Sequence, residues 1–159
     1  MTISEITPDV DRDRWLAGAD FADAFRITID GAALDARTTA ERMLGHAPWW
    51  MAALLKLRNA LVRPFGLKTS GADARRPGPM IGIFPVIAQT PSQLVLGFDD
   101  QHLDFRVLVD VATIGASSQV TATTLVRTHN ALGRIYLTVI TPFHRLVVKA
   151  TLRQVSGTA

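Results

Sequence analysis

The chain has 159 residues, of which 48% are hydrophobic and 19% are charged. This length suits one domain, and the composition excludes disorder as the main state, since disordered chains combine few apolar residues with many charges. Because the sequence contains no cysteine, disulfides, thiolate metal sites and a cysteine nucleophile are also excluded.

Charge is distributed in blocks along the chain. Residues 1–41 hold nine acids and four bases, 42–78 seven bases and one acid, 79–115 four acids and one base, and 116–159 five bases and no acid. We interpret these blocks as pairing with one another in the fold; the alternatives are an anionic ligand or a membrane surface. No nucleic-acid partner is expected, because no binding motif accompanies the charge.

The N-terminal segment, residues 1–17, predicts a polar arm. It carries several acids and no apolar core, so we expect no secretory signal. No apolar run in the sequence approaches the roughly 18 residues that a spanning helix needs. The prediction is one domain over 1–159, with its folded part at 18–153, located in the cytoplasm and without a membrane span.

One strand and one helix are predicted after the arm. Apolar residues alternate over 21–29, but Asp23 interrupts the inner face, so we expect the strand to begin after it. Asp35 predicts the N-cap of a helix that runs to Leu44, and Gly45 predicts its end.

A second amphipathic helix is predicted to begin at Pro48, because proline suits the first helical position. Trp50 lies on its apolar stripe, and we interpret this residue as core or as a cavity-lining, ligand-binding candidate. The alternative is that Trp49 and Trp50 insert into a membrane surface beside the basic residues of this helix.

The second half of the chain predicts an antiparallel meander and a long terminal helix. Alternation with a period of two predicts strands at 81–87, 93–98, 102–111 and 119–128. Asn130 is the predicted N-cap of the helix. We expect the helix to cover the apolar sheet face with a stripe that consists of Leu132, Ile135, Val139, Phe143 and Leu146.

This order of elements predicts an α+β, helix-grip fold. A curved antiparallel sheet wraps around a long C-terminal α-helix, with two shorter helices after the first strand. Such a sheet often leaves a cavity against the helix, and a cavity with an apolar lining is where a small ligand is expected.

Five segments resemble, in the same order, those of a bacterial family named domain of unknown function 2867. They are GADFADAF (18–25), LRNALVRPFGLK (57–68), HLDFR (102–106), RTHNALGRIY (127–136) and PFHRLVV (142–148). The resemblance extends from about Leu16 to Leu152. It implies a fold like that of the polyketide cyclase and START lipid-transfer superfamily (SRPBCC), and it implies no particular activity. Related domains also occur attached to short-chain-dehydrogenase-like proteins.

A first constellation is His102, Asp104 and Arg106, which alternate along one strand and therefore point to one face. Such a row suits acid–base chemistry or a carboxylate clamp. Because the opposite face is apolar, we predict that Asp104 and Arg106 form a structural ion pair. His102, near the end of the hairpin, is a ligand-binding candidate at the mouth of the pocket.

A second constellation joins the last strand to the terminal helix. Arg127, His129, Arg134 and Tyr136 lie near the helix N-terminus, where free N–H groups favour an anion. Arg127 and Arg134 are candidates to hold an acidic ligand. The alternative is that they pair with Asp99, Asp100 or Asp104 and attach the helix to the sheet.

A third constellation is Tyr136 with His144, which lie about two turns apart on the helix. Facing the cavity, these two side chains would orient a ligand. The alternative for His144 is a hydrogen-bonded histidine in the core. His129, His144 and Tyr136 are the candidate catalytic groups.

The motifs of several enzyme classes are absent. The sequence has no GxSxG, P-loop, HExxH or GxGxxG in a βαβ setting, so we expect no metal and no cofactor. The first hypothesis is a protein that binds a small apolar or amphipathic ligand. The alternatives are a cyclase-, dehydratase- or isomerase-type enzyme, and an interaction module that forms a homodimer through the His102–Arg106 face or binds a dehydrogenase-like partner.

Overall fold

The computed structural model describes residues 2–31, 33–46, 49, 52–53, 56, 60, 63–65 and 78–157. Most of the second predicted helix, Trp50 included, lies outside these residues. A short 3-10 helix covers Arg63–Phe65. The other elements, in chain order, are β1 (Ile3–Ile6), α1 (Arg12–Leu16), β2 (Phe21–Asp30), α2 (Ala36–Leu44), β3 (Met80–Ile81), β4 (Phe84–Gln89), β5 (Gln93–Asp99), β6 (Leu103–Ile114), β7 (Ser117–Thr128) and α3 (Ala131–Ser156).

The seven described strands form one sheet in the order β1-β2-β7-β6-β5-β4-β3. Every neighbouring pair is antiparallel. Strands β3 to β7 form a meander, and β2 joins it by pairing with β7. This arrangement, with one long helix after the last strand, confirms the α+β class.

The N-terminal segment predicted as an arm forms β1 and α1. β1 extends the sheet by pairing with β2, and Asp11 caps α1 by accepting a hydrogen bond of 3.1 Å from the backbone N–H of Arg14. The prediction that β2 begins after Asp23 is wrong. β2 begins at Phe21, because Asp23 has a partner on the helix above it and can therefore stay within the strand.

The predicted ends of the first helix agree with those of α2. The first predicted helix is confirmed: the Asp35 carboxylate accepts a 2.9 Å hydrogen bond from the Thr38 N–H, and Gly45 is the C-cap.

The single strand predicted over 81–87 is wrong, because the chain reverses between β3 and β4 at Gly82. Its φ is +58°, which favours glycine, and a Cβ there would collide with the Leu44 carbonyl oxygen.

The main core lies on the sheet face that α2 and the C-terminal half of α3 cover, which we call the inner face. It contains fully buried residues from the sheet and both helices, among them Phe25, Ile27, Met43, Leu94, Leu96, Val109, Val120 and Leu152. A smaller cluster lies on the opposite, outer face. It joins Leu16 of α1 to Val95, Leu108 and Leu125.

The stripe of α3 that was predicted to face the sheet is exposed instead. Among its members Ile135, Val139, Phe143 and Leu146 are exposed. The helix packs through a different row, Val148, Leu152 and Val155. Both rows are apolar, so periodicity alone did not identify the buried one.

Asp110 of β6 is a carboxylate whose pKa the fold raises. Burial raises it from the ordinary value of 3.8, against a hydrogen bond from Gln93 that lowers it. The folded chain thus binds this proton more tightly than the unfolded chain. The contribution of Asp110 to stability is complete below pH 3.8 and is lost as the pH rises through the raised pKa.

Asp110→Asn is therefore expected to stabilise the protein at neutral pH. The change removes the buried charge and keeps an oxygen for the 2.7 Å hydrogen bond from Gln93 Nε2. We expect a gain of a few tenths to about 1 kcal/mol in the free energy of unfolding, measured with urea. The gain should disappear below pH 3.8, where Asp110 itself is protonated.

Asp35→Ala is a control for which the expected change in stability and its pH dependence have the opposite sign. Hydrogen bonds from the side chain and backbone of Thr38 lower the pKa of Asp35 from 3.8, so its contribution is present above that pH and is lost in acid. We expect a loss of about 1 kcal/mol at neutral pH. A destabilised Asp110→Asn at neutral pH would contradict the account of Asp110.

Candidate functional site

The inner face carries a buried acid–histidine pair, Asp23 of β2 and His144 of α3. His144 Nε2 lies 3.2 Å from Oδ1 and 3.2 Å from Oδ2 of Asp23. The Asp23 side chain is 5% exposed and that of His144 is 19% exposed. Among the residues that the structure describes, the buried Oδ2 atom accepts no hydrogen bond. Buried polar atoms without a hydrogen bond are rare in folded proteins, so this oxygen calls for an explanation.

The local sequence explains why these two side chains meet. In β2, Asp23 alternates with Phe21 and Phe25 and therefore shares their face. On α3, His144 precedes Val148 by four residues, so it continues the row through which the helix packs on the sheet. The spacing on α3 predicted His144 as a site residue, whereas Asp23 was not predicted as one. A charged residue on the apolar face of a strand was the signal that could have found it.

A row of aromatic and apolar side chains lies next to the pair on the inner face. Strand register places Phe21, Val126, Phe105 and Phe98 in one row across four strands. The ring centroids of Phe98 and Phe105 are 5.5 Å apart, and Phe84 packs 5.7 Å from Phe105. The Phe21 ring meets His144 edge-on at 6.1 Å.

This aromatic row is less covered than the rest of the inner face. Phe84, Phe98 and Phe105 are half-buried, whereas Leu94 and Leu96 are fully buried. The difference follows the packing of the helix, because the buried apolar side chains of α3 all lie in its C-terminal half. The part of the inner face beside Asp23 is therefore an apolar surface with one polar pair at its border.

Tyr136 and Trp50 are the other candidates assigned to the pocket. Tyr136 is half-buried and lies about two turns before His144 on α3. Trp50 is outside the described residues, whereas its neighbour Trp49 is 82% exposed. The structure thus places Tyr136 on the helix that carries His144 and leaves the role of Trp50 as a prediction.

His102 and His129 lie at the start of α3, away from the Asp23–His144 pair. Asn130 caps the helix by accepting a 2.9 Å hydrogen bond from the Gly133 N–H, and its Nδ2 donates to His102 Nδ1 at 2.8 Å. The His129 N–H donates to the His102 carbonyl oxygen at 2.9 Å. These bonds attach the β5–β6 turn to the helix.

Asp104 and Arg106 do not pair with each other as predicted. Arg106 Nη1 lies 2.8 Å from Asp99 Oδ1, and His129 Nε2 lies 2.9 Å from Asp104 Oδ1. The reason is the cross-strand neighbour of Arg106, which is Gly97. Since glycine has no side chain, the Arg106 guanidinium crosses above it to reach Asp99.

Arg127 and Arg134, the predicted anion-binding arginines, lie near a carboxylate of the chain itself. Asp20 accepts hydrogen bonds of 2.6 Å from both the N–H and the hydroxyl of Thr128. These bonds lower the pKa of Asp20, and the charges of Arg134 and Arg127 lower it further. Asp20 is thus an acid of the chain itself on which both arginines act, and their role as anion-binding residues stays a prediction.

A groove lies at the other end of the molecule, between α2 and the end of α3. Its volume is about 410 Å³, and it is lined by Thr38, Glu41, Arg42, His46, Gln154 and Gly157. No candidate residue from the sequence lines it.

Within the described part of the chain, no three histidine or acidic side chains come together as ligands for a metal ion. No described helix has the length and apolarity needed to cross a bilayer.

An antiparallel sheet, one long terminal helix and a buried acid–histidine pair define the chain as an α+β domain with one marked polar site in its core. The chain belongs to the family described as protein of unknown function (DUF2867), which matches residues 15–151. The family inferred from its segments is thereby confirmed.

Comparison with other proteins adds little about activity. The chain is similar to a solved structure described as a conserved protein from Geobacillus kaustophilus. The identity is 12%, the match covers 86% of this chain and 93% of that chain, and the TM-score is 0.43. No curated protein matches the sequence.

Proposed function

We propose that the chain binds a small amphipathic molecule on the inner face of the sheet, beside Asp23 and His144. The observation that carries this proposal is the buried Asp23 Oδ2 atom, which accepts no hydrogen bond from the described residues. This oxygen lies 3.2 Å from His144 Nε2, the nitrogen whose hydrogen bond is to Oδ1, so it still has accepting capacity. A ligand that donates an N–H or O–H to Oδ2 supplies the missing hydrogen bond.

The half-buried aromatic row supports an apolar body for the same ligand. Phe105 and Phe98 lie in the register row next to that of Asp23, two and three strands away from it on the inner face. Ligand sites typically combine an apolar lining with a few polar groups that fix orientation. An acidic head group held by Arg127 and Arg134 is less well supported, because both arginines act on Asp20. The proposed polar end is therefore a hydroxyl or amine.

The strand order supports the finer helix-grip classification as part of this proposal. Apart from β1, the sheet runs β2-β7-β6-β5-β4-β3, and α3 follows β7 directly. Within the described residues, α3 buries apolar side chains on the inner face only in its second half, and the proposed ligand lies on the remaining part of that face. On the same grounds we propose that the fold belongs to the SRPBCC superfamily, as the family resemblance implies.

Native mass spectrometry of the purified protein, with an organic extract of the same sample, tests the proposal. We expect a co-purifying hydroxyl- or amine-bearing compound at one copy per chain. Asp23→Asn should reduce its retention about tenfold, the effect of losing roughly 1.4 kcal/mol. Asp30→Asn, at the exposed end of the same strand, is the matched control and should retain it. Equal retention in Asp23→Asn, or no compound at all, contradicts the proposal.

A second candidate function is acid–base catalysis on the same ligand. The observation in its favour is that a carboxylate positions the imidazole of His144, as in many general acids and bases. His144→Gln separates the two functions, since glutamine can donate to Asp23 but transfers no proton. Retained ligand with lost turnover supports catalysis through His144. Unchanged turnover shifts that role to His129 or Tyr136.

Self-association through the His102–Arg106 face stays a prediction. Asp104 and Arg106 on that face already have partners within the chain, so their charges are not left for a second copy. Sedimentation over a range of concentrations tests it: a strict monomer rules out the homodimer.

A further inference from the structure

Thr124 of β7 is a buried polar residue directly beside the Asp23 carboxylate. Strand register pairs the two residues across β2 and β7, and Thr124 is 2% exposed. Thr124 alternates with Val120 and Ala122 of the main core, so its side chain shares the inner face with Asp23. Directly opposed residues of an antiparallel pair have Cβ atoms about 4.5–5.5 Å apart. One ligand atom at this point is within reach of both side chains.

No hydrogen bond joins the Thr124 hydroxyl to Oδ2 of Asp23, because within the described residues this oxygen accepts none. A threonine hydroxyl holds one donor and two acceptor lone pairs and rotates to suit its partner, whereas a carboxylate only accepts. This part of the inner face thus offers an acceptor at Oδ2 and a donor at Thr124. A ligand group that gives one hydrogen bond and receives another satisfies both.

The charges around these two residues favour an uncharged polar group over a cation. Lys149 of α3 holds its Nζ 5.5 Å from the centre of the Phe25 ring. Phe25 follows Asp23 by two residues on the same face of β2, so a cation of the chain already lies next to the site. His144 is a second group there that carries positive charge when protonated. An ammonium ion would enter beside these groups, and since it only donates hydrogen bonds it cannot accept one from Thr124.

We propose that Thr124 is a specificity-determining residue and that the polar end of the ligand is an uncharged hydroxyl. This inference rests on the proposed function and narrows its ligand class. The ligand hydroxyl donates to Asp23 Oδ2 and accepts from the Thr124 hydroxyl. Its apolar body extends over Val107, which is next to Thr124 in the same register row, towards Phe105 on the same strand. An alcohol is therefore bound in preference to the amine of equal chain length.

Calorimetric titration of the purified protein with octanol and with octylamine tests this inference. The two probes share one apolar chain, and octylamine is an ammonium ion at neutral pH. We expect octanol to bind the original chain about fivefold more tightly than octylamine, the effect of one hydrogen bond. This comparison needs no substitution and therefore does not depend on the folding of a variant.

Three variants assign the preference to Thr124. Thr124→Val keeps the shape of the side chain, removes its hydroxyl and should weaken octanol binding about fivefold. Thr124→Ser keeps a hydroxyl and should restore most of the affinity. Thr123→Val is the matched control, since Thr123 is buried one residue away and alternates with Leu125 of the outer-face cluster. It should leave octanol binding unchanged, and urea unfolding of each variant checks that it is folded.

The outcomes separate this inference from the proposed function. If Asp23→Asn weakens octanol binding and Thr124→Val does not, the role of Thr124 is overturned and the proposed function stands. Equal binding of octylamine, or an equal loss in Thr123→Val, overturns the inference in the same way. If the original chain binds neither probe, the inference also fails, and retention of a co-purifying compound decides the proposed function separately.

Discussion

His144→Ala is expected to reduce the free energy of unfolding by about 3 kcal/mol at neutral pH. The change leaves the Asp23 carboxylate, 5% exposed, without its partner among apolar neighbours. Removing one member of a buried pair is more harmful than removing both, because a buried charge then remains uncompensated. The measurement is urea unfolding followed by circular dichroism.

The double variant Asp23→Asn with His144→Ala identifies the cause. If the loss comes from the unpaired carboxylate, the double variant should be more stable than His144→Ala alone, with a coupling of about 1–3 kcal/mol. His46→Ala is the control, because His46 is exposed beyond the end of α2 and its loss should change stability by less than about 0.5 kcal/mol. If His144→Ala has the same free energy of unfolding as the original chain, the Asp23–His144 pair does not contribute to stability.

Gly133→Ala is expected to cost about 2 kcal/mol, although alanine is the better helix former. Helix propensity alone favours alanine by about 1 kcal/mol. Against this gain, a Cβ at position 133 would overlap the His102 carbonyl oxygen. This atom belongs to the backbone and accepts a hydrogen bond from the His129 N–H, so it cannot move without breaking that bond. Overpacking of this kind costs about 1–3 kcal/mol, with the lost hydrogen bond in addition.

Gly157→Ala is the matched control for this substitution. Gly157 is the C-cap of the same helix, and a Cβ there would lie 3.9 Å from the Arg153 carbonyl oxygen, an ordinary contact. Its stability should change by less than about 0.5 kcal/mol. If Gly133→Ala is as stable as this control, the β5–β6 turn is free to move away from the helix and does not hold it in place.

The two substitutions also distinguish the two groups of candidate residues. His144 and Asp23 form the polar border of the inner face, whereas Gly133 lies where His102 and Asn130 attach the turn to α3. We expect His144→Ala to impair ligand retention as well as stability. Gly133→Ala should change stability while the Asp23–His144 pair stays intact.

Local chemistry was sufficient to predict several elements. Asp35 and Gly45 begin and end α2 because a carboxylate cap and a glycine stop act on adjacent backbone groups. Asn130 begins α3 for the same reason. The strict alternation from Leu103 to Val111 predicts β6, since a period of two is a property of the strand itself.

The contacts of the candidate site depend on residues that lie far apart in the sequence. From the sequence, Asp23 was interpreted as an interruption of its strand. Only the position of His144 on α3 shows that the two residues form a buried pair. Arg106 reached Asp99 because Gly97 lies between them, and a strand pairing separated by several residues along the chain cannot be read from either strand alone. Arg127 and Arg134 likewise lie close enough to Asp20, a residue of the N-terminal third, to lower its pKa.

The amino-acid sequence was sufficient to predict the class of fold, the family, both ends of α2 and the start of α3, because these depend on contacts within a few residues or on segments that occur in order. Only the tertiary structure decided which face of α3 is buried. Val148, Leu152 and Val155 are as apolar as Ile135, Val139, Phe143 and Leu146, so the hydrophobic pattern favoured neither row. Packing against α2 and the sheet buries the first row and leaves the second exposed. The proposed ligand site follows from that choice.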